Sequence, residues 1–544
     1  MPTLAAIDIG SNSCRLKIAR VVAHQLRTVH EDREVTRLGA SVFENGLVSP
    51  EAMAATLRTL KRFQRAVQLH GVDQIRVVAT AALRDARNGE AFVAWVKAET
   101  GWTLEIISGL EEGRLIHMGI MGHEPGAAGR VILVDLGGGS CEITLSEHKR
   151  IKETISVPLG AVRLTGEFLP TDPATEDGLA QMRKFIEREL RRAHKKIQPV
   201  DVPLVIATSG TAAALWDAAH AGVHLQEEKP AARAGKGKTA KKQSKKSASK
   251  KMAAPLQALK RAGSEAKLVT PHTVRLLATR LAHMDLAQRQ AVPGIGPRRA
   301  EIIVAGAHVY AELLHSFELP GFRYSELGLR DGILAQMLAE QDQRASIHSE
   351  FEHQRWQGVL ETARRYGVDF KQAEPVRHHA LQLFHELKVL HQLPAEYESW
   401  LAAAAYLKDT GKFINHQGHH RHTQYIISSS EIYGYTRLQR TMISAIARYL
   451  GKSRPQPGDR ALRNIPPGEH QNVHRAVVLL RLAVALNQDR ASDVLKVAAK
   501  LYPRRVYLEL QQGRTGAELE LWSLRKEAGY FREVFGRELF PTLA

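Results

Sequence analysis

Near the start of the chain stands the stretch Ala6-Ile7-Asp8-Ile9-Gly10-Ser11-Asn12-Ser13, and its pattern returns at Leu133-Val134-Asp135-Leu136-Gly137-Gly138-Gly139-Ser140. Each stretch is an apolar run, one aspartate, a turn of glycine and serine, and then a second run with strand character. Leu4–Ile9 and Val131–Leu136 are short, apolar and rich in β-branched residues, as buried strands are. The repetition predicts two hairpins that face each other across a cleft, each with one carboxylate and one set of loop amides.

The two turns have the chemistry of an anion site. Glycine lets the backbone approach an anion with its N–H groups, and Ser11, Ser13 and Ser140 add hydroxyl donors. Asp8 and Asp135 offer hard oxygen ligands of the kind that bind Mg²⁺. One such motif by itself favours an ordinary turn shaped by Asp and Gly. Its repetition favours a phosphate-binding pair.

A third element lies between the two turns. Leu104–Ile107 is predicted to be a strand, and Ser108 is predicted to begin a helix. Ser108 and Glu111 fit a capping box, which leaves Glu112 as the free carboxylate, beside Arg114. The residues by themselves leave two interpretations open: Glu112 is catalytic, or it is a second acid placed near the positive end of the helix.

Seven motifs of this chain occur in the order found in the Ppx/GppA phosphatases, which are exopolyphosphatases or guanosine pentaphosphate phosphohydrolases. They are Asp8–Ser13, Ala79–Asn88, Ser108–Glu112, Asp135–Glu142, Leu159–Leu164, Ser209–Thr211 and Leu329–Gly332. The chain therefore resembles the long form of this family, with specific motifs over residues 4–340 and a weaker likeness to about residue 490. The resemblance implies an α/β fold of two actin-like, sugar-kinase-like (RNase H-like) lobes, at residues 1–125 and 126–340.

The resemblance also implies that Glu112 is the catalytic carboxylate, Asp135 a metal-linked acid and Arg84 a phosphate contact. Transfer of a phosphoryl group to water needs a positioned nucleophile and neutralised phosphate charge. Glu112 would orient and deprotonate the water, while Asp135, Asp8 and Glu142 would hold Mg²⁺, with K⁺ as a further candidate cation. For Arg84, a surface arginine is the alternative interpretation.

The phosphate-binding residues are predicted to come from both turns and from a third segment. They are Gly10, Ser11, Asn12, Ser13, Gly137, Gly138, Gly139, Ser140, Ser209, Gly210 and Thr211. The last three follow the strand-like Leu204–Ala207 and begin an alanine-rich helix, whose N-terminus would be an anion site. Without the family resemblance, a plain helix cap is an equally good interpretation of these three residues.

Length and composition fit this class of protein. A chain of 544 residues is long enough for about three or four domains. Its two cysteines, Cys14 and Cys141, imply no disulfide framework and suit a reducing compartment. No signal peptide is evident, and no apolar run approaches the ~20 residues that span a bilayer. We expect a cytoplasmic protein without membrane contact.

The net charge of +19 is unevenly distributed. Residues 229–261 contain twelve Lys and Arg and no Asp or Glu, so the rest of the chain carries +7. The lysine-rich centre of this segment has few apolar residues, which predicts a disordered insert at about residues 225–266 of the second lobe. Two interpretations stay open: the insert gathers a polyanion such as polyphosphate or RNA by counterion release, or it is a tolerated solvated insertion.

After about residue 340 the pattern changes to long helices. They are predicted at Gln354–Tyr366, Val376–Leu390, Tyr397–Leu407, Leu438–Leu450 and His474–Leu486. Residues 341–495 resemble the HD-phosphohydrolase-like domain of long family members, but the expected His-Asp pair is Lys408-Asp409. A protonated lysine offers no lone pair to a cation, and Gln372 and Asn487 stand where a histidine and a closing aspartate are usual. We predict a degenerate HD fold retained for structure, dimerisation or polyanion binding.

Two further features follow in the C-terminal part. Its histidine cluster consists of His416, His419, His420 and His422. Without a carboxylate-rich set it is a weak zinc pattern, which favours a phosphate-binding or packing role. Residues 496–544 alternate apolar and polar side chains near Val506–Leu510 and Leu519–Trp522, which predicts a small β-containing cap.

Three functions compete at this point. The first is an exopolyphosphatase that removes terminal phosphates from inorganic polyphosphate, and the second is a guanosine pentaphosphate 5'-phosphohydrolase. The third is a polyphosphate- or nucleic-acid-binding protein with little catalysis, against which the intact Glu112, Asp135 and Arg84 argue. The basic segment favours the first function over the second. A sugar kinase of the same superfold is less favoured because of the Ser108–Glu112 element, and the resemblance implies a homodimer.

Overall fold

The computed structural model describes residues 2–124, 129–221, 268–451, 453–489, 494–511 and 516–544. The chain divides into two compact units, Met1–His348 and Ser349–Ala544. The predicted basic insert, residues 225–266, lies outside the described residues. Within the described ranges, no helix is long and apolar enough to cross a membrane.

The first unit contains two five-stranded sheets with the same strand order. Their strands are β1 Thr3–Ile9, β2 Ser13–Val22, β3 Gln25–Val35, β4 Gln74–Ala79, β5 Leu104–Ile106, β6 Arg130–Leu136, β7 Cys141–Glu147, β8 Arg150–Val157, β9 Leu204–Thr208 and β10 Arg323–Tyr324. The orders are β3-β2-β1-β4-β5 and β8-β7-β6-β9-β10. In each sheet the three strands at one side are antiparallel to their neighbours. The other two strands run parallel to the central strand, which is β1 in the first sheet and β6 in the second. This duplicated topology is the actin-like fold, and it confirms the predicted fold class.

The registers of the two central hairpins correspond residue for residue. Ile9 pairs with Cys14 and Asp8 with Arg15 in the first hairpin, and Leu136 pairs with Cys141 and Asp135 with Glu142 in the second. The two predicted hairpins are therefore confirmed as equivalent elements of the two sheets.

Helices cover the sheets of the first unit. They are α1 Ala40–Asn45, α2 Pro50–Leu69, α3 Ala81–Asp85, α4 Gly89–Thr100, α5 Gly109–Met121, α6 Ala161–Phe168, α7 Glu176–Ile197, α8 Ser209–His220, α9 Pro271–His283, α10 Leu286–Ala291, α11 Ile303–Ser316 and α12 Leu329–Gln341. Each sheet has its own apolar core. A third core joins α5 and α12 to strands of both sheets. Helix α12, which falls in the predicted second lobe, thus packs against the first lobe as well.

The second unit consists of helices and a small sheet. Its elements are α13 His348–Arg365, α14 Phe370–Glu386, α15 Lys388–His391, α16 Glu396–Leu407, a 3₁₀ helix Thr410–Phe413, α17 His419–Ser429, α18 Arg437–Arg448, a 3₁₀ helix Pro467–Glu469, α19 His470–Ala485, β11 Val497–Leu501, β12 Arg505–Leu510, α20 Glu518–Phe535 and β13 Glu538–Leu543. All five long helices predicted here are confirmed, with shifted ends. The sheet residues share one apolar core with the helices.

One prediction for the C-terminal cap is wrong. Residues Leu519–Trp522 were expected to alternate as a strand, but they form the first turn of α20. Leu521 and Leu524 are buried three positions apart while Leu519 and Trp522 stay about half exposed, which is a helical pattern of burial. The strand expected near Val506–Leu510 is confirmed as β12.

Candidate active site

The two glycine turns have the same backbone hydrogen bond and face each other. The Gly10 N–H donates to the Ser13 carbonyl at 3.1 Å, and the Gly137 N–H donates to the Ser140 carbonyl at 3.0 Å. A methyl group on Gly138 would lie 3.0 Å from Ser11 Cβ, so the turns approach each other closely because neither side chain intervenes. The predicted cleft between two equivalent hairpins is confirmed.

A cavity of about 420 Å³ opens between the turns. Its wall includes these predicted residues: Asp8, Gly10, Ser11, Asn12, Ser13, Glu112, Asp135, Gly137, Gly138, Gly139, Ser140, Ser209 and Gly210. Arg84, Glu142 and Thr211 lie outside that wall. Thr211 is buried against Gly306, where a methyl group would lie 2.4 Å from Thr211 Cγ2.

A cluster of carboxylates includes two residues of the cavity wall and Glu142 behind it. Glu112, Asp135 and Glu142 each offer an oxygen, and these oxygens lie within 4.8 Å of one another. The strand pairing of Asp135 with Glu142 brings these two together, and α5 supplies Glu112. Burial raises the pKa of Asp135 to about 6 and that of Glu142 to about 7. Burial and the neighbouring Glu142 carboxylate raise the pKa of Glu112 well above its usual value.

This carboxylate cluster fits a divalent cation. Among the described residues, Glu112 Oε2, Asp135 Oδ1, Glu142 Oε2 and Asp8 Oδ1 are buried and have no hydrogen-bond partner. A buried carboxylate oxygen without a partner is costly, and a bound cation removes that cost. Asp8 and Asp135 therefore offer unused oxygens in one cavity, as predicted, and Glu112 belongs to the same acidic group.

Helix α5 fixes the position of Glu112. The Ser108 hydroxyl accepts from the Glu111 N–H at 3.1 Å and so caps the helix. The predicted capping box is otherwise wrong, because the Glu111 carboxylate accepts both Arg114 Nε and Arg114 Nη2 at 2.8 Å instead of turning back to Ser108. Arg84 Nη1 lies 3.6 Å from Glu112 Oε2 and donates to the Ile107 carbonyl at 2.9 Å. Arg84 therefore borders the site through Glu112.

The start of α8 closes another side of the cavity. The Ser209 hydroxyl donates to the Leu136 carbonyl at 2.7 Å, which ties this helix to the second turn. Gly210 lies directly against Arg299, because a methyl group there would come within 1.8 Å of Arg299 Nη2. Two of the three predicted residues of this segment therefore reach the cavity.

Sequence reasoning missed a group of arginines. Arg15, Arg33, Arg299 and Arg330 line the same cavity. In the part of the chain that the structure describes, Arg33 Nε and Nη2 are buried without a hydrogen-bond partner. Burial and the nearby Arg15 guanidinium lower the pKa of Arg33 to about 10 and that of Arg299 to about 9. Arg15 could have been found from the sequence, because the hairpin register sets it opposite Asp8.

Cationic side chains thus face an acidic cluster across two glycine turns, in a duplicated actin-like fold. This combination defines a protein that holds a phosphorylated ligand between two lobes. Residues 17–341 match the Ppx/GppA phosphatase family, and residues 354–528 match domain III of Ppx/GppA phosphatases. The chain belongs to the Ppx/GppA phosphatase family and is a hydrolase of phosphoric anhydrides.

Individual relatives agree with this assignment. The chain is 26% identical over 494 residues to a guanosine-5'-triphosphate,3'-diphosphate pyrophosphatase of Pseudoalteromonas atlantica, covering 90% of this chain and 87% of that protein. The crystal structure of an exopolyphosphatase from Cytophaga hutchinsonii is 24% identical, with a TM-score of 0.51, and matches 62% of this chain and 98% of its own. An exopolyphosphatase-like protein, also 24% identical, has a TM-score of 0.52 over 62% of this chain and 97% of its own. These two structures are similar in fold.

Proposed function

We propose that this protein is an exopolyphosphatase, which removes the terminal phosphate of inorganic polyphosphate by in-line attack of water. The observation that carries the proposal is one cavity lined by acids and arginines. Asp8, Glu112 and Asp135 each have a buried carboxylate oxygen with no hydrogen-bond partner among the described residues, and an arginine group lies on the wall. A chain of phosphates needs both: neutralisation at the reacting phosphate and cationic contacts for the phosphates behind it.

Glu112 is proposed to orient the attacking water and take its proton. The residue is 7% exposed, and burial with Glu142 nearby raises its pKa, so that it holds a proton more strongly than an exposed glutamate does. Arg84 lies 3.6 Å from Glu112 Oε2, and its positive charge opposes part of the effect of burial on this pKa. Asp135, Glu142 and Asp8 would hold Mg²⁺, which supplies charge neutralisation at the phosphate oxygens when bound.

The glycine turns are proposed to hold the terminal phosphates. Ser11 Oγ and Asn12 Nδ2 are buried and lack a hydrogen-bond partner among residues 2–544 that the structure describes. Both groups can donate to phosphate oxygens, as can the N–H groups of Gly137–Ser140. The Ser11 and Asn12 carbonyls already accept from residues 36–39, which leaves the donors as the groups that face a ligand.

The alternative substrate is guanosine pentaphosphate. The relative from Pseudoalteromonas atlantica has a name that denotes this activity. Its match covers 90% of this chain, which favours the nucleotide as substrate. The basic segment 229–261 favours a long polyanion instead, because extended positive charge gains most from many phosphates. A polyphosphate-binding protein with little catalysis is the third candidate. A homodimer and a cytoplasmic location stay predictions.

The test is phosphate release from long-chain polyphosphate and from guanosine pentaphosphate with Mg²⁺, for the wild type, Glu112→Ala and the control Glu90→Ala. Glu90 is exposed in the first turn of α4. We expect faster cleavage of polyphosphate and a loss of about 10³-fold in kcat for Glu112→Ala alone. Cleavage restricted to the nucleotide would establish the alternative substrate. Binding of polyphosphate without cleavage of either would establish the third candidate.

A further inference from the structure

The helical unit contains a second cavity, of about 350 Å³, formed entirely by residues of Ser349–Ala544. Part of its wall is apolar, with Val368, Val376 and Val484, and the aromatic ring of Phe413 lies at its edge. A cavity of this size and mixed character is typical of sites for small organic ligands.

The residues expected at a degenerate HD motif meet in this cavity. Gln372, Lys408, Asp409 and Asn487 all line it. A protonated lysine offers no lone pair to a cation, and two neutral carboxamides supply no negative charge to hold a divalent one. Asp409 is engaged as well, because Lys408 Nζ lies 2.5 Å from its Oδ2 and Lys412 Nζ lies 2.9 Å from its Oδ1. The donor set is therefore unsuited to a metal and suited to an organic ligand.

Asn487 is the buried polar group that points to a ligand. The residue is 8% exposed, and its Nδ2 donates to the Gln372 carbonyl at 3.5 Å. Its Oδ1 is buried and accepts no hydrogen bond from any residue the structure describes. A buried amide oxygen without a donor costs free energy, and a ligand N–H would remove that cost.

Phe413 gives the cavity a surface for a planar ring. Its side chain is 64% exposed although it is aromatic, and the Tyr366 ring meets it edge-on with centroids 5.6 Å apart. Exposed aromatic rings beside cationic groups are a recurring platform for nucleobases.

The charge of the cavity selects a ligand with few negative charges. Its wall contains two lysines, Lys408 and Lys412, and two carboxylates, Asp369 and Asp409. Asp369 caps α14 by accepting from the Lys371 N–H at 3.0 Å. Because the charges nearly balance, a long polyanion gains little here. A single phosphate near the partly exposed Lys412 and the exposed His416 is better matched.

We propose that this cavity binds a nucleotide, with the base between Phe413 and the valines, a base N–H donating to Asn487 Oδ1, and the phosphate at Lys412. The site is separate from the catalytic cavity of the first unit and does not depend on the proposed substrate.

The experiment is isothermal titration calorimetry of the full chain with AMP, GMP, CMP and UMP, and with inorganic phosphate. Every protein in the titrations also carries Glu112→Ala, so that excess tripolyphosphate occupies the catalytic cavity without being cleaved. Phe413→Ala and Lys412→Ala are compared with Tyr425→Ala, which removes an aromatic ring that is 67% exposed on α17, outside the cavity. We expect at least one nucleotide to bind, and both cavity variants to weaken it about tenfold, while Tyr425→Ala leaves it unchanged.

Three results would overturn the proposal. They are the absence of binding by all four nucleotides, equal binding with and without Phe413→Ala, and inorganic phosphate binding as tightly as the nucleotides. Circular dichroism of each variant establishes that it is folded. Because Phe413 and Lys412 are partly exposed, their removal leaves the apolar core intact.

Discussion

One equivalent position in the two central hairpins differs in the sign of its charge. The residue opposite the turn aspartate is Arg15 in the first hairpin and Glu142 in the second. At this register position the first hairpin therefore has a guanidinium and the second has a carboxylate. A duplicated backbone thus places different charges beside its two turn aspartates.

Arg33 is a cavity arginine with two buried nitrogens, Nε and Nη2, that lack a hydrogen-bond acceptor among the described residues. Arg33→Ala should raise KM for polyphosphate about tenfold, since a hydrogen bond to a charged group is worth about 1.5–3 kcal/mol, while kcat changes less. Steady-state kinetics of the full chain measures both constants.

The control for this variant is Arg27→Ala, which removes an exposed arginine from the same strand, β3. Arg27→Ala should leave KM unchanged. An equal rise of KM in the two variants would show that general positive charge, and not the cavity contact, holds the substrate.

The two cysteines follow the turns but are closed to solvent. Cys14 and Cys141 are both free and fully buried. Burial raises the pKa of the Cys14 thiol to about 12 and that of Cys141 well above its usual value. We expect neither thiol to react with a disulfide reagent at pH 8 until the protein unfolds, whereupon two thiols react. Rapid stoichiometric labelling of the native protein, with loss of activity, would instead support a redox role.

At the scale of elements, the crossing of α5 and α12 positions Glu112, the proposed catalytic carboxylate. A methyl group at Gly332 would lie 1.7 Å from the Leu115 carbonyl oxygen, and one at Gly119 would lie 2.6 Å from the Gly332 nitrogen. The helices can touch at backbone distance because both positions are glycine. An ion pair joins α12 to β2, since Lys17 Nζ lies 2.7 Å from Asp331 Oδ1.

Gly332→Ala should therefore destabilise the protein by about 3 kcal/mol, because the backbone must move to admit the methyl group. Activity should fall as well, since Glu112 sits on the displaced helix. Gly122→Ala is the matched control: the described atoms leave open space around that position. Urea denaturation measures the free energy of unfolding of Gly332→Ala and Gly122→Ala. Equal values for the two variants would contradict the close packing of α5 on α12.

A buried histidine of α14 makes the second unit sensitive to acid. His379 Nε2 accepts from the Leu495 N–H at 3.1 Å, and burial lowers its pKa to about 4. The unfolded chain takes up this proton near pH 6.5, so the free energy of unfolding falls as the pH falls from about 6.5 to 4, by at most ~3 kcal/mol.

His379→Gln should reduce this dependence on pH, whereas His378→Gln, at an exposed position of the same helix, should keep it. Denaturation in urea at pH 7 and pH 4.5 gives the comparison. An unchanged pH dependence in His379→Gln would assign the acid sensitivity to another group.

At the scale of the whole molecule, the chain consists of two compact units with separate apolar cores. The proposed catalytic residues belong to the first unit, and the proposed nucleotide cavity belongs to the second. The basic segment 229–261 lies between described parts of the first unit. It contains twelve basic residues and no acidic ones.

Deletion of residues 229–261 should lower the net charge from +19 to +7. We expect weaker binding of long-chain polyphosphate at low salt and a shallower dependence of KM on salt, because fewer counterions are released. Cleavage of short phosphate chains should not change. Identical kinetics on long chains at low salt would show that the segment is a tolerated insertion.

The sequence by itself determined the parts of this protein that depend on local patterns. The paired Asp-Gly turns, their flanking strands, the helix that begins at Ser108 and the long helices of the second unit could all be predicted. Strand alternation, helical spacing and glycine turns act over a few residues, so neighbouring residues specify them. The likeness of the two hairpins was also sufficient to predict that they face each other.

The tertiary structure decided which side chains share the cavity. Arg33 comes from β3 and Arg299 from the segment before α11, and no local pattern marks these two as partners. Arg330 lies in the Leu329–Gly332 motif, but that motif did not indicate that its side chain reaches the cavity. The packing of α5 on α12 places Glu112 beside Asp135 and Glu142. The spacing of these three residues in the sequence does not specify that arrangement. Thr211 faces Gly306 instead of the cavity, and Leu519–Trp522 is helical. Contacts between residues far apart in the chain depend on how the helices and strands pack. The sequence pattern around each residue therefore does not specify them.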